Sequence, residues 1–134
     1  MKSTKTILSR ILFLIYLAAI AFLCFMRVDR IPEMQNTLLG IPTDKIAHFL
    51  MFLPFPILAF LSYDHSTRKA WGAVLFALLT FIAGAAIAYG TEYVQGFLPY
   101  RSQDMSDFRA DLLALVISTI GVFLTDISNL KKRN

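Results

Sequence analysis

Three short runs of this sequence hold the side chains able to do chemistry: Asp44, Lys45 and His48; Glu92 and Gln95; and Arg101, Asp104, Asp107 and Asp111. Lys45 and Arg101 are the residue types that bind phosphate or carboxylate, Arg101 through its two-pronged guanidinium and Lys45 as a point charge. His48 or Glu92 suits the role of general base, with the remaining carboxylates orienting it. No Ser or Cys nucleophile stands beside His48 in the sequence, so whether the chain is an enzyme stays open. His48, Glu92, Asp107 and Asp111 are also metal-ligand types, but a close His-x-x-x-His pair is lacking, and neither a metal nor another cofactor is expected. The plainest alternative is structural, with Lys45, His48 and Arg101 neutralising Glu92, Asp107 and Asp111 between helices.

The spacing is helical. Lys45 and His48 are three apart, as are Glu92 and Gln95, while Asp104, Asp107 and Asp111 follow a three-then-four rhythm, so each set shares one helix face. Extending the last face reaches Ala114 and Ser118, and stepping back from Glu92 by fours reaches Ala88 and Gly84. Small residues permit close helix approach, so these polar residues are expected to point into a bundle rather than toward lipid. Asp111 lies more than one turn inside its helix. Two ionised carboxylates there would repel, so Arg101, Lys45 or His48 must neutralise Asp107 and Asp111, or one of the two holds a proton.

The elements that carry these faces follow from hydropathy. Of 134 residues, 57% are hydrophobic and 16% charged, which is too apolar for a soluble domain. The apolar residues form four blocks, the pattern of helices crossing a hydrocarbon layer roughly 30 Å thick. We expect an all-α polytopic membrane protein: a single membrane domain over residues 1–134, folded as a bundle of four transmembrane helices at residues 7–26, 45–63, 70–97 and 106–127. Thr43 or Asp44 is placed to cap the second helix, which Pro54 and Pro56 should kink or break. The first block has signal-peptide features around Ala19-Ile20-Ala21, but it stays apolar through Met26, so a retained helix is expected. Lipoprotein processing at Cys24 is disfavoured by the bulky Leu23 before it. Tyr63 and Trp71 at one boundary, and Tyr93 and Tyr100 at the other, read as interfacial anchors. His65 reads as a loop residue.

The 13 Lys and Arg residues give a net charge of +4 but are spread over five flanks, which argues against a nucleic-acid partner. A lone cysteine excludes an intramolecular disulfide. With the N-terminus inside, Lys2, Lys5, Arg10, Arg68, Lys69, Lys131, Lys132 and Arg133 flank the cytoplasmic face, and Arg27, Arg30, Lys45, Arg101 and Arg109 the outer one. Both termini are then cytoplasmic. Most carboxylates, including Asp29 and Glu33 but not Asp64 or Asp126, fall outside.

Asp44-Lys45-x-x-His48, Glu92-x-x-Gln95 and Arg101 followed by Asp107 together resemble the VanZ-like family of small bacterial membrane proteins, named after a protein associated with teicoplanin resistance. The resemblance covers about residues 43–121. It implies a multi-pass protein of the bacterial cytoplasmic membrane, and it motivates an outward-facing pocket. There Asp44, Lys45, His48, Glu92, Gln95, Arg101, Asp104, Asp107 and Asp111 would recognise a lipid-linked cell-envelope precursor or a glycopeptide-type drug, with membrane lipids as the other partners. Two departures stand out. Asp111 replaces an expected Asn, and Ala114 and Ser118 stand where glycines are common, so Asp111 is read mainly as a hydrogen-bonding group. A membrane-embedded enzyme on a lipid-linked substrate is the alternative, and the sequence leaves the oligomeric state undetermined.

Overall fold

The computed structural model describes residues 4–27, 37–63 and 69–133. Lys2, Asp29, Arg30, Pro32, Glu33, Asp64, His65 and Arg68, used above for topology or loop assignment, lie outside the described residues. Among the described residues four helical segments are long and apolar enough to cross a membrane: Thr4–Phe25, Thr43–Ser62, Ala70–Gln95 and Met105–Lys132. The chain is an all-α, multi-pass membrane protein.

Helix α1 spans Thr4–Phe25. The second crossing is divided into α2, Thr43–Phe52, and α3, Phe55–Ser62. Pro54 and Pro56 lack the N–H groups that would close the helical ladder onto Leu50 and Phe52. The interruption is nonetheless a kink. Leu53 and Pro54 keep right-handed helical dihedrals, and Leu58 N–H still reaches Pro54 O at 2.9 Å. Tyr16 donates its hydroxyl to Met51 O beside this junction, tying α1 to the bend.

Helix α4 runs Ala70–Gln95 and α5 Met105–Arg133, so α5 continues well past the apolar block expected to end near residue 127. Lys131 and Lys132 extend the last turn with good helix formers, so the helix outlasts the apolar block. Helix α5 packs against α2, α3 and α4, while α1 packs against α3 and α4. The core is small and dense: Ile20, Cys24, Phe52, Phe55, Ala88, Ala114 and Leu115. As the small-residue faces foretold, Ala88, Ala114 and Ser118 are buried. A Cβ on Gly84 would sit 2.6 Å from Leu115 Cδ2 and 3.0 Å from Phe55 Cδ1, so any larger residue there would displace the buried Leu115 side chain.

Two local features differ from the sequence reading. The connection before α2 ends in a two-stranded antiparallel hairpin, β1 Thr37–Leu38 and β2 Ile41–Pro42, turned by Leu39 (φ 53°) and Gly40 (φ 80°). Glycine tolerates this left-handed geometry and Leu39 is held in it, so the turn escaped a reading based on typical hairpin dipeptides. Helix α2 begins at Thr43 with Pro42 as its N-cap and no side-chain cap bond, so neither Thr43 nor Asp44 caps it as expected. Pro42 fixes the entry backbone instead.

Candidate functional site

The start of α2, the end of α4 and the start of α5 meet at the bundle end opposite the termini. His48 lies on the buried face of α2, Glu92 in the last turn of α4, and Asp107 and Asp111 one turn apart on α5. All four are buried, Glu92 and Asp111 completely. His48 Nδ1 is 3.1 Å and 3.3 Å from the two oxygens of Asp111. Glu92 Oε1 approaches the same nitrogen at 3.7 Å, and Asp107 Oδ2 stands 3.7 Å from His48 Nε2. One imidazole thus lies among three carboxylates drawn from two other helices.

Two of the three carboxylates are partly engaged elsewhere. Asp107 Oδ1 receives Lys45 Nζ at 2.8 Å, and Glu92 Oε2 accepts the backbone N–H of Asp104 at 3.0 Å. Among the described residues three buried polar side-chain atoms lack a hydrogen-bond partner, Glu92 Oε1, Arg101 Nε and Thr119 Oγ1, and the first of these lies inside the cluster. Leaving a buried carboxylate oxygen unpaired is costly, which marks the position as one where another group belongs.

Lys45 gathers the rim of the site. Its ammonium lies 3.2 Å from Asp104 Oδ2 as well as 2.8 Å from Asp107 Oδ1, with the exposed Asp44 at 3.8 Å. Asp104 has a second task. Its Oδ1 accepts the Ser106 backbone N–H at 2.8 Å and the Ser106 hydroxyl, capping the first turn of α5. Those Ser106 bonds, with help from Lys45, hold the Asp104 carboxyl down at about 2.

Gln95 and Arg101 are drawn elsewhere, although the sequence grouped them with the pocket. Gln95 Nε2 donates to Cys24 O at 2.8 Å, Arg101 donates to Leu23 O at 3.0 Å, and the Tyr100 hydroxyl donates to Phe25 O at 3.1 Å. These are three consecutive carbonyls of the last turn of α1, which have no partner within their own helix. Among the described residues no carboxylate lies within ion-pair distance of Arg101, so the expected meeting of Arg101 with Glu92 and Asp107 does not occur. The α1 carbonyls, at the negative end of the helix dipole, attract the guanidinium instead. Tyr100 was read as a lipid-interface anchor and serves this cap too, with Arg27 4.9 Å above its ring. Its proximity to Arg101 in sequence was the one available signal.

The comparisons with known proteins are sparse. No family model matches the chain, and no solved structure matches it. Over 77 residues it is 31% identical to an uncharacterised protein of the fission yeast Schizosaccharomyces pombe. The match covers 58% of this chain and 44% of that protein, so the chain spans less than half the length of the relative.

Proposed function

We propose that this chain is a VanZ-like protein of the bacterial cytoplasmic membrane whose buried cluster is a ligand pocket for the polar headgroup of a lipid-linked envelope molecule or a glycopeptide-type drug. The observation that carries the reading is Glu92 Oε1, fully buried and unpaired beside His48. Of the cations first assigned to an anionic ligand, Lys45 is engaged by Asp104 and Asp107, while Arg101 is turned to the end of α1 through one terminal nitrogen, its Nε buried without a partner among the described residues. Direct recognition therefore falls to acceptor oxygens, which match hydroxyl, amide or amine donors of a glycan or peptide headgroup. In this reading the pocket opens outward and both termini are cytoplasmic, in keeping with the basic residues near the helix ends.

Native mass spectrometry of the full chain in mild detergent tests the ligand. The wild-type protein is expected to carry an envelope lipid, and Glu92→Gln to lose it roughly 10- to 100-fold while still melting cooperatively. Retention of that lipid by folded Glu92→Gln, or none on the wild type, would sink the reading. Orientation is tested after Cys24→Ser: Asn36→Cys should react with an impermeant reagent in intact cells and Ser66→Cys should not, and the reverse pattern inverts the topology.

One observation favours the enzyme as a second reading. Asp111 holds His48 by Nδ1 and leaves Nε2 facing Asp107, the arrangement by which a carboxylate orients an imidazole for proton transfer. Turnover of the bound lipid during incubation would promote this reading over recognition alone.

A further inference from the structure

We infer that the pocket is completed by a divalent transition-metal ion, Zn²⁺ in the first instance, bound by His48 Nε2, Glu92 Oε1 and Asp107 Oδ2. One ligand atom from each of these three residues lies within 4.8 Å of the others, and all three side chains are buried. The assignment of atoms follows from what the rest of each side chain does. Asp111 takes His48 Nδ1, which leaves the Nε2 lone pair for a metal when Nδ1 carries the proton. This is the carboxylate–histidine–metal arrangement in which an outer carboxylate sets the tautomer and the ring direction.

Lys45 takes Asp107 Oδ1 and turns Oδ2 toward the ring. The Asp104 N–H takes Glu92 Oε2 and leaves Oε1 buried without a partner. That oxygen lies 3.7 Å from the Nδ1 edge of the same imidazole, so a ring shift that brings Nε2 toward it would let one cation satisfy both side chains. The Asp107–His48 separation of 3.7 Å exceeds by a few tenths of an ångström the roughly 3.3 Å between tetrahedral ligands of zinc, a contraction within side-chain reach. An imidazole among the ligands favours zinc, iron, nickel or copper over magnesium, calcium or manganese.

Sequence spacing hides such a site because its ligands come from three helices, with one histidine in place of a His-x-x-x-His pair. Three protein ligands leave a coordination position open at the pocket. With the ion bound, Glu92 Oε1 holds the metal instead of a headgroup donor, and a hydroxyl or other oxygen of the headgroup would fill the open position. The inference rests on the reading of this cluster as the ligand pocket, and it adds the ion through which the ligand is held.

The test uses the full chain purified in mild detergent, stripped with chelator and titrated with Zn²⁺ by calorimetry, with X-ray absorption on the loaded wild-type protein. One saturable Zn²⁺ per chain is expected, with one imidazole in its coordination shell. His48→Ala and Glu92→Gln should abolish saturable binding, and Asp111→Asn should weaken it roughly 10- to 100-fold. Absence of a 1:1 site on the wild-type protein, or a coordination shell without imidazole, overturns the proposal without recourse to any variant. The two readings fail separately. A lipid retained after chelation on a protein that takes no zinc removes the metal and leaves the pocket, whereas a stoichiometric zinc site with no headgroup ligand keeps the metal and removes the proposed ligand.

Discussion

Two groups of polar side chains share the same end of the bundle, and they have different jobs. Gln95, Tyr100 and Arg101 each donate to one backbone carbonyl, Cys24, Phe25 and Leu23 respectively, and close the end of α1. Those acceptors are neutral, fixed and present in any folded copy of the chain. His48, Glu92, Asp107 and Asp111 face one another, with Lys45 beside Asp107 and Glu92 Oε1 without a hydrogen-bond partner among the described residues. The first group is spent on the end of a helix; the second is turned upon itself. In a membrane protein, residue type and boundary position do not separate the two cases, whereas the identity of the acceptor does.

Three changes would break or sharpen this distinction. The largest effect is expected at Asp111, whose carboxylate is the only close hydrogen-bond partner of His48 among the described residues. Asp111→Ala strands a buried imidazole and should cost about 3 kcal/mol in detergent unfolding. Asp111→Asn keeps an acceptor for the Nδ1–H and should melt near the wild-type temperature. An equal loss in both variants would mean that the charge, and not the hydrogen bond, holds His48 in place.

An intermediate effect is expected at Arg101. Arg101→Ala removes a part-exposed bond to Leu23 O and should lower stability by about 1 kcal/mol, while headgroup retention per folded molecule stays at the wild-type level. Lipid loss from a fully folded Arg101→Ala protein would return this residue to the pocket and erase the division drawn here.

The smallest effect belongs to Asp104, which bridges the rim and the cap of α5. Its carboxyl is lowered from an ordinary 3.8 to about 2, first by the Ser106 bonds and then by Lys45. A depressed carboxyl adds stability that is complete above its unfolded value and is lost as pH falls through the folded one. Acid melting curves should therefore steepen between pH 3.8 and about 2 in the wild-type protein and flatten there in Asp104→Asn. The side chain is 43% exposed, so screening limits the contribution to under about 1 kcal/mol. An unchanged slope in the variant would remove Asp104 from the electrostatics of the rim.

Hydropathy and period by themselves determined the four crossings, the kink at Pro54 and Pro56, and the buried faces bearing Ala88, Ala114 and Ser118. They also brought His48, Glu92, Asp107 and Asp111 to one end. A helix of known direction places every third or fourth residue on one face, and a bilayer aligns the helix ends at shared depths. Which partner each side chain takes was decided only by the tertiary structure, because that depends on helix rotation and separation at the scale of a hydrogen bond. Gln95 is three residues from Glu92 on the same helix, yet its amide reaches across to α1 while the carboxylate turns toward His48. Arg101 looked like an anion contact because its charge is legible in sequence and the bare carbonyls of α1 are not. The unpaired oxygen of Glu92 belongs to the same class of fact: α2, α4 and α5 all carry carboxylates, and only their packing reveals which atoms lack a partner.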